Sequence, residues 1–170
     1  MPIPVPLRER RRDWFFIAAF VIFAATSFLM DPVNVFGRPD PESTYVMSRI
    51  QYESYAAGAD PLIIANPRFV QLTLGISAFI LGPFYLVLIY AFVRGRDWIR
   101  LPAIFYAGIP VMGTTLYLGV GLLGDAGVDY KFLDTAKVLA SNLPYIVVPL
   151  LLVARMWRPH PFTRREDAVS

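Results

Sequence analysis

Four long apolar segments, separated by charged and proline-rich stretches, dominate the pattern of the chain. They run over residues 14–30, 69–93, 101–123 and 138–154, and none contains a charged residue. An α-helix rises about 1.5 Å per residue, so even the shortest segment covers roughly 26 Å of a hydrocarbon core about 30 Å thick. Apolar side chains surround the whole helix circumference, whereas a membrane barrel needs short alternating segments. The pattern therefore predicts four transmembrane helices.

The first segment and the connection that follows it need separate interpretation. Four arginines precede the segment, as in a signal peptide, but it closes with the bulky run Phe28-Leu29-Met30, so we expect a retained helix. The next connection, residues 31–68, is long and rich in proline and tyrosine. Its proline-free middle, Ser43 to Ala57, predicts a short amphipathic helix that caps the bundle.

Composition supports a membrane protein and excludes several other classes. Of 170 residues, 56% are hydrophobic and 17% are charged, a balance that soluble domains rarely have. Cysteine is absent and the single histidine, His160, lies in the basic tail, so disulfides, thiolate chemistry and a histidine-based metal site in the membrane are excluded. Neither a phosphate-binding glycine loop nor a serine-hydrolase motif is present. Any catalysis would depend on Asp31, Asp60 and tyrosines.

Basic residues are distributed unevenly between the two ends of the predicted bundle. Eleven of the sixteen flank the chain termini and the connection between the second and third segments, and five lie on the other side. Eight of the thirteen acids, Asp125 and Asp129 among them, also lie on that other side. By the positive-inside rule, both chain ends, including the basic tail 155–170, are predicted to be cytoplasmic. This placement beside apolar runs argues against a nucleic-acid surface.

Prolines and polar residues inside the segments suggest a space between the helices. A proline removes a backbone donor and bends its helix; the four are Pro83, Pro110, Pro144 and Pro149. Helical spacing places polar and aromatic residues on one face of each helix: Thr73, Ser77, Ile80 and Phe84; Tyr106, Pro110, Gly113 and Tyr117; Asn142, Tyr145 and Pro149. Such faces avoid lipid, so they either line a pocket or form ordinary helix–helix contacts.

Two aspartates, each followed by proline, are candidates for special roles. Asp31 is expected at the carboxyl end of the first helix, where the helix dipole disfavours a negative charge, so we interpret it as functional. Asp60 precedes Pro61 and has the pattern of an N-cap with proline at the first helical position. We therefore assign Asp60 a structural role.

Six short runs of residues together resemble the EXPERA family of membrane proteins, which are like the emopamil-binding protein. In chain order the runs are Arg12-Asp13-Trp14, Phe28-Leu29-Met30-Asp31, Ala59-Asp60-Pro61-Leu62, Tyr90-Ala91-Phe92, Trp98-Ile99-Arg100-Leu101-Pro102-Ala103-Ile104, and Pro144-Tyr145 with Pro149. The likeness covers about residues 12–157. It depends on the ordered set, since no single run is specific.

The resemblance implies a four-helix bundle with cytoplasmic ends, often a homodimer, around a pocket that accepts sterols and hydrophobic amines from the lipid. In the receptor branch of the family, the aspartate in the position of Asp31 pairs with the cationic nitrogen of the ligand. The aspartate in the position of Asp60 is needed for binding in a structural capacity. Tyr106 and Tyr145 match tyrosines that line this pocket.

Two features depart from the family pattern. The receptor branch carries a buried glutamate beside the ligand aspartate, and the matching position here is Ser77. The isomerase branch works with a histidine and glutamates in its helices, whereas the second and third segments here contain neither. The sequence therefore favours binding over sterol double-bond isomerisation. A structural or trafficking role, with the basic tail contacting a partner or anionic lipid, is the other alternative.

These observations predict one all-α domain over residues 1–170, an integral membrane four-helix bundle with a partly helical loop between helices one and two. The expected function is binding of sterol-like lipids and hydrophobic cationic amines, in sterol homeostasis or lipid trafficking. The expected ligand-binding residues are Asp31, Ser77, Tyr106, Gly113, Asn142 and Tyr145, supported by Asp60. We expect no metal, cofactor or nucleic acid. The expected partner is a second copy, and the membrane is the endoplasmic reticulum in a eukaryote or the plasma membrane in a bacterium.

Overall fold

Four helical spans form the body of the protein. The structure is a computed structural model, and it describes residues 3–124 and 130–164. Within these ranges, four spans are each long and apolar enough to cross a membrane: Asp13–Phe36, Arg68–Arg94, Asp97–Leu123 and Thr135–Arg155. The predicted all-α membrane bundle is confirmed. Asp125, Asp129 and Arg165, which entered the charge analysis, lie outside the described residues.

The first span is interrupted next to Asp31. Helix α1 (Asp13–Leu29) is followed by its C-cap Met30, and helix α2 (Asp31–Phe36) completes the span. Pro32 explains the break, because a proline cannot donate a hydrogen bond to the preceding turn but fits the first turn of a new helix. The prediction that Asp31 closes a helix at its carboxyl end is therefore wrong, since this residue opens the second piece of the span.

A partly helical cap joins the first and second spans, as predicted. It consists of α3 (Val46–Gln51), a π turn (Tyr52–Ala56), α4 (Ala57–Ala59) and α5 (Pro61–Ala65). The cap also contacts the start of the fourth span, where Nζ of Lys137 donates to the carbonyl of Ser54 at 2.6 Å. The cap is thus held against the bundle at the end remote from the chain termini.

The second span contains a widened turn. Helix α6 (Arg68–Ile76) leads into a π turn (Ser77–Leu81), and α7 (Gly82–Arg94) follows. Pro83 has no N–H to donate to the carbonyl one turn earlier, and the helix widens in the turn that precedes it. The extra residue rotates all later positions by about 100° relative to a regular helix.

This rotation changes which residues face the interior. A regular repeat predicts Thr73, Ser77, Ile80 and Phe84 on the inner face, yet the side chain of Ile80 is 58% exposed. Tyr85, which the regular repeat does not place there, is fully buried. The prediction is wrong for Ile80, because the regular 3.6-residue period on which it depends is interrupted by the π turn.

The third span is nearly one continuous helix. A short 3-10 turn (Asp97–Ile99) leads into α8 (Arg100–Leu123), which packs against the fourth span much as α1 packs against α7. Along its predicted inner face the buried residues are Tyr106, Pro110 and Tyr117, and Gly113 is half-buried.

The fourth span is divided by a proline. Helix α9 (Thr135–Asn142) and helix α10 (Pro144–Arg155) meet at Leu143. The span begins three residues before the predicted boundary, because the carboxylate of Asp134 accepts a hydrogen bond from the backbone N–H of Lys137 at 2.9 Å and caps the helix.

Hydrophobic side chains form one core near the chain ends and a second near the cap. The first includes Phe20, Tyr85, Leu88, Phe92 and Phe162, all fully buried. The second includes Ala59, Leu62, Val70, Tyr117 and Val138. Each core therefore draws on residues from several spans.

The tail returns to the start of the chain. Strand β1 (Ile3–Pro4) pairs antiparallel with strand β2 (Thr163–Arg164). Before β2, Phe162 packs edge-on against Phe92, with ring centroids 5.0 Å apart, and its backbone N–H donates to Asp97 at 2.8 Å. Both ends of the described chain thus lie at the same end of the bundle.

A buried ion cluster stabilises this terminal end. Asp13 is only 1% exposed and accepts charged hydrogen bonds from Arg10 and Arg155, the latter at 2.8 and 3.1 Å. Both guanidinium groups also lie over the ring of Phe162, at 4.9 and 5.1 Å from its centroid. One carboxylate and one aromatic ring therefore join the first span, the fourth span and the tail.

Asp13→Asn is expected to destabilise the protein by about 3–5 kcal/mol, because it leaves two partly desolvated guanidinium groups without their counter-ion. The loss should appear as a lower midpoint of thermal unfolding in detergent. Glu9→Gln is the matched control, since Glu9 forms an exposed ion pair with Arg164 at 3.8 Å. Such pairs contribute about 0–1 kcal/mol. Equal midpoints for the two variants would contradict the role of the cluster.

Single introduced cysteines should report the topology, because the natural chain has none. Thr44 in the cap and Arg158 in the tail are both exposed. With cysteine at either position, a membrane-impermeant maleimide should label the two variants from opposite sides of the membrane. The arginine distribution predicts that the tail is on the cytoplasmic side. Labelling of both variants from one side would exclude an arrangement of four spans.

Candidate ligand-binding site

Asp31 is a buried carboxylate at the break in the first span. The residue is 7% exposed, and the hydroxyls of Ser27 and Ser77 are in position to donate to it. The two serine oxygens lie 2.9 Å from each other. Among the residues that the structure describes, Asp31 has no salt-bridge partner, in contrast to Asp13. Within the described ranges, the charge of Asp31 is therefore not neutralised by any charged group of the protein.

A glycine allows the first and second spans to bring these groups together. A Cβ atom at Gly82 would lie 3.2 Å from the Cβ of Ser27, so α7 approaches α1 closely at this point. The π turn that precedes Gly82 places Ser77 opposite Ser27. The polar region around Asp31 thus depends on local departures from regular helix in both spans.

Two predicted tyrosines approach the same region from the third and fourth spans. Tyr145 stacks on Phe23, with ring centroids 4.2 Å apart, and interacts with the hydroxyl of Thr26 and with the charge of Asp31. Tyr106 is 3% exposed and belongs to the hydrophobic core against which Tyr145 packs. The structure therefore brings Asp31, Ser77, Tyr106 and Tyr145 into one group.

Tyr85 also belongs to this group, although sequence reasoning missed it. Its ring packs edge-on against Tyr106 at 5.7 Å, and it interacts electrostatically with Asp31 and Tyr145. Tyr85 follows Ser77 by eight residues, of which the π turn absorbs one. Seven steps of about 100° return to nearly the same helix face. The signal in the sequence was Pro83, because a proline inside a helix disturbs the turn that precedes it.

Two predicted site residues make other contacts. A Cβ atom at Gly113 would lie 3.2 Å from Cγ2 of Thr73, so this glycine serves the close packing of α8 on α6. Asn142 donates to the hydroxyl of Tyr55 at 3.1 Å and to the carbonyl of Val138 at 2.8 Å. The structure places Asn142 in a second polar cluster, near the cap.

Asp60 is the centre of this second cluster. It is fully buried, and its carboxylate accepts hydrogen bonds from the hydroxyls of Tyr55, at 2.9 Å, and Tyr117, and from the backbone N–H of Ile63 at 3.3 Å. Burial raises the pKa of Asp60, although these hydrogen bonds oppose the shift. Burial and the neighbouring carboxylate also raise the pKa of Tyr55. Asp60 thereby caps α5 and links the cap to α8.

An amide network that the sequence did not reveal fixes the cap to the first span. The side-chain amide of Asn34 donates to the carbonyl of Ile63 at 2.9 Å, and its oxygen accepts from Gln51 at 3.1 Å. Asn66 donates to the backbone carbonyl of Asn34 at 2.8 Å. The three amide residues are far apart in the sequence and follow no helical period. Their hydrogen bonds therefore become evident only in the folded structure.

The Asp31 group offers several kinds of polar contact in an apolar setting. Its carboxylate accepts hydrogen bonds or pairs with a cation, and the tyrosines offer hydroxyls and aromatic faces. In the described ranges, no three histidine, cysteine, aspartate or glutamate residues are grouped so that they could hold a metal ion.

Comparison with known proteins determines the family. The sequence model of the EXPERA (EXPanded EBP superfamily) family matches residues 45–156, which is more than half of the chain. The chain belongs to the EXPERA family. Together with its four spans, this membership makes it a multi-pass membrane protein.

The chain is also similar to receptors from several animals. The Sigma intracellular receptor 2 of Macaca fascicularis is 28% identical, with 96% of each chain covered. The protein of the same name from Xenopus tropicalis is 27% identical over 86% of this chain and 88% of its own length. The human protein is 30% identical over 64% of this chain and 66% of its own length. The resemblance stated from the sequence is thereby confirmed.

Asp60 should make the protein less stable as pH rises. Burial raises its pKa above the ordinary value of 3.8, so the folded state binds the proton more tightly than the unfolded state. Its contribution is fully present below that ordinary value and is lost as pH rises through the folded-state pKa. Asp60→Asn keeps an acceptor for Ile63 and cannot titrate, so its thermal midpoint should fall less than that of the wild type between about pH 4 and 8.

The exposed Asp40 provides the control for this measurement. Asp40→Asn removes an exposed carboxylate from the connection before the cap without disturbing a buried cluster, and its pH profile should follow that of the wild type. Parallel profiles for Asp60→Asn and the wild type would show that Asp60 does not titrate in this way.

Proposed function

We propose that the protein binds sterol-like lipids and hydrophobic cationic amines inside its membrane bundle. The observation that carries this proposal is Asp31, a buried carboxylate in a membrane span with only hydroxyl neighbours and no salt-bridge partner in the described chain. A buried charge is costly unless it is paired or hydrogen-bonded. The structural carboxylate Asp13 has two arginines, whereas the cation for Asp31 is one that a ligand can supply.

Aromatic rings around Asp31 provide the apolar part of the proposed site. Phe20 and Phe23 pack against Tyr85 at 6.2 and 5.6 Å, and Phe84 packs against Tyr106 at 5.2 Å. Burial of apolar ligand surface contributes about 25 cal/mol per Å², and a few polar groups then fix orientation. A polycyclic lipid with one polar end has this distribution of properties.

The family gives independent support for this proposal. The relatives are receptors by name, and the resemblance implies that an aspartate in the position of Asp31 holds a ligand amine. Here Ser77 stands where the receptor branch has a glutamate. Because the hydroxyl neighbours of Asp31 are neutral, a single positive charge on the ligand is enough to neutralise the site.

The positions of the acids favour binding over catalysis. Isomerisation of a double bond needs an acid and a base that both reach the ring system. Asp31 and Asp60 belong to different clusters, each with its own hydroxyl neighbours. His160 lies in the tail, 3.4 Å from Asp97. These residues therefore do not converge on one substrate position.

The proposal includes a cellular setting. We place the chain ends and the connection between the second and third spans in the cytoplasm, in agreement with the arginine distribution. The membrane is the endoplasmic reticulum in a eukaryote or the plasma membrane in a bacterium, and the role is sterol homeostasis or lipid trafficking. The family resemblance supports a second copy of the chain as partner.

Asp31→Asn is expected to weaken binding of a hydrophobic cationic amine at least about tenfold and binding of a neutral sterol less than threefold. A carboxylate about 4 Å from a cation gains near 4 kcal/mol at an effective dielectric of 20, and desolvation removes part of it. Equilibrium binding to purified protein in detergent measures both ligands. Asp40→Asn, at an exposed site, should bind both like the wild type. Equal losses for amine and sterol in a folded Asp31→Asn variant would contradict the ion pair.

A further inference from the structure

Two tyrosine hydroxyls beside Asp31 have unused hydrogen-bonding capacity. Tyr85 is fully buried and Tyr106 is 3% exposed, and neither hydroxyl makes a hydrogen bond to any residue within 3–124 or 130–164. Buried polar groups in native proteins nearly always have a partner, because an unpaired one loses its bonds to water without replacement. A bound ligand would supply the hydrogen-bond partner that these two hydroxyls lack.

The rings that carry these hydroxyls are fixed by their neighbours. Tyr85 packs against Phe20 and Phe23, and Tyr106 packs against Phe84. The two tyrosine rings meet edge-on, at an interplanar angle of 83°, and their hydroxyls interact without reaching hydrogen-bonding geometry. These contacts restrict rotation of both rings, so neither hydroxyl can reach a different acceptor. The positions of the two hydroxyls are therefore fixed by the packing.

We propose that Tyr85 and Tyr106 form a second polar contact of the ligand site and donate a hydrogen bond to an oxygen atom of the ligand. This inference rests on the proposed function and specifies its ligand class. Asp31 accepts a hydrogen bond from the ligand, whereas the tyrosine pair donates one. Phe23, one helical turn before Ser27, packs against the rings of both Tyr85 and Tyr145. The tyrosine pair therefore lies beside the Asp31 group, and we assign both contacts to the polar end of one ligand.

Lipid alcohols satisfy both contacts with a single functional group. A hydroxyl donates its proton to Asp31 and accepts a hydrogen bond from a tyrosine. A protonated amine without an oxygen donates only, so it leaves the tyrosines unpaired. A ketone accepts only, so it offers no donor to Asp31. The site is thus built to recognise a hydroxylated sterol or a similar lipid alcohol, and amines use the Asp31 contact alone.

Three matched probes separate the two contacts. Cholesterol, its 3-keto analogue and its 3-amino analogue share one ring system and differ at the polar end. In equilibrium binding to the purified full-length protein, Tyr85→Phe should weaken the alcohol and the ketone roughly 2- to 10-fold, the range expected for one neutral hydrogen bond. Binding of the amine should change less than twofold. Asp31→Asn should give the opposite pattern, with the largest loss for the amine and little change for the ketone.

A tyrosine on the outer surface of the same helix provides the control. Tyr90 is 50% exposed on α7, so Tyr90→Phe removes a hydroxyl without touching the site and should leave binding of all three probes unchanged. If Tyr85→Phe does not fold, Tyr106→Phe tests the same contact. Thermal midpoints of all variants should be measured alongside, because a purely structural role would change stability and leave the ranking of the probes intact.

The outcomes distinguish this inference from the function on which it rests. If alcohol and ketone bind a folded Tyr85→Phe variant as tightly as the wild type, the hydroxyl is satisfied by water or by Tyr106, and the inference is overturned. The proposed function survives that result when the amine still binds in a manner that depends on Asp31. If the wild-type protein binds none of the three probes, the inference and the proposed function both fail.

Discussion

A helix in lipid has to satisfy its own backbone hydrogen bonds, and prolines decide where this chain departs from that arrangement. One proline breaks the first span, another accompanies the π turn of the second, and a third divides the fourth. The side chains grouped at the candidate site lie beside these irregularities: Asp31 next to Pro32, Ser77 at the start of the π turn before Pro83, and Tyr145 next to Pro144. These polar side chains lie where the regular helix is interrupted, because a break or a widened turn changes the direction of the side chains and orients them toward the interior.

The buried aspartates Asp13, Asp31 and Asp60 have three different environments. Asp13 is neutralised by two arginines, and Asp60 accepts two tyrosine hydroxyls and a backbone N–H. Asp31 has the hydroxyls of Ser27 and Ser77 beside it and no salt-bridge partner among the described residues. The first two arrangements are complete within the protein, which suits residues that hold the fold together. The third has no counter-ion within the described chain, and this difference, more than burial itself, is the basis of the proposal that Asp31 binds a ligand.

The sequence was sufficient for the spans and for part of the site. Length and apolar character are properties of continuous segments, so the four spans and the cap helix could be predicted without tertiary contacts. The face of α8 was also predictable, since its helix continues through Pro110. Positions after Pro83 were not, because the extra residue of the π turn shifts the inner face from Ile80 toward Tyr85. The Asp13 cluster and the amide network could not be predicted either, because their residues are far apart in the sequence and form no periodic pattern.

The pairing of β1 with β2 makes the described chain an almost closed ring. Closing so long a ring costs conformational entropy that grows only slowly with length, and the contacts of Phe162 with Arg10 and Arg155 have to outweigh that cost together. The first and fourth spans are therefore fastened to each other at the terminal end through Asp13 and Arg155. Sideways separation of the first and fourth spans at this end therefore requires breaking the ion pair between Asp13 and Arg155.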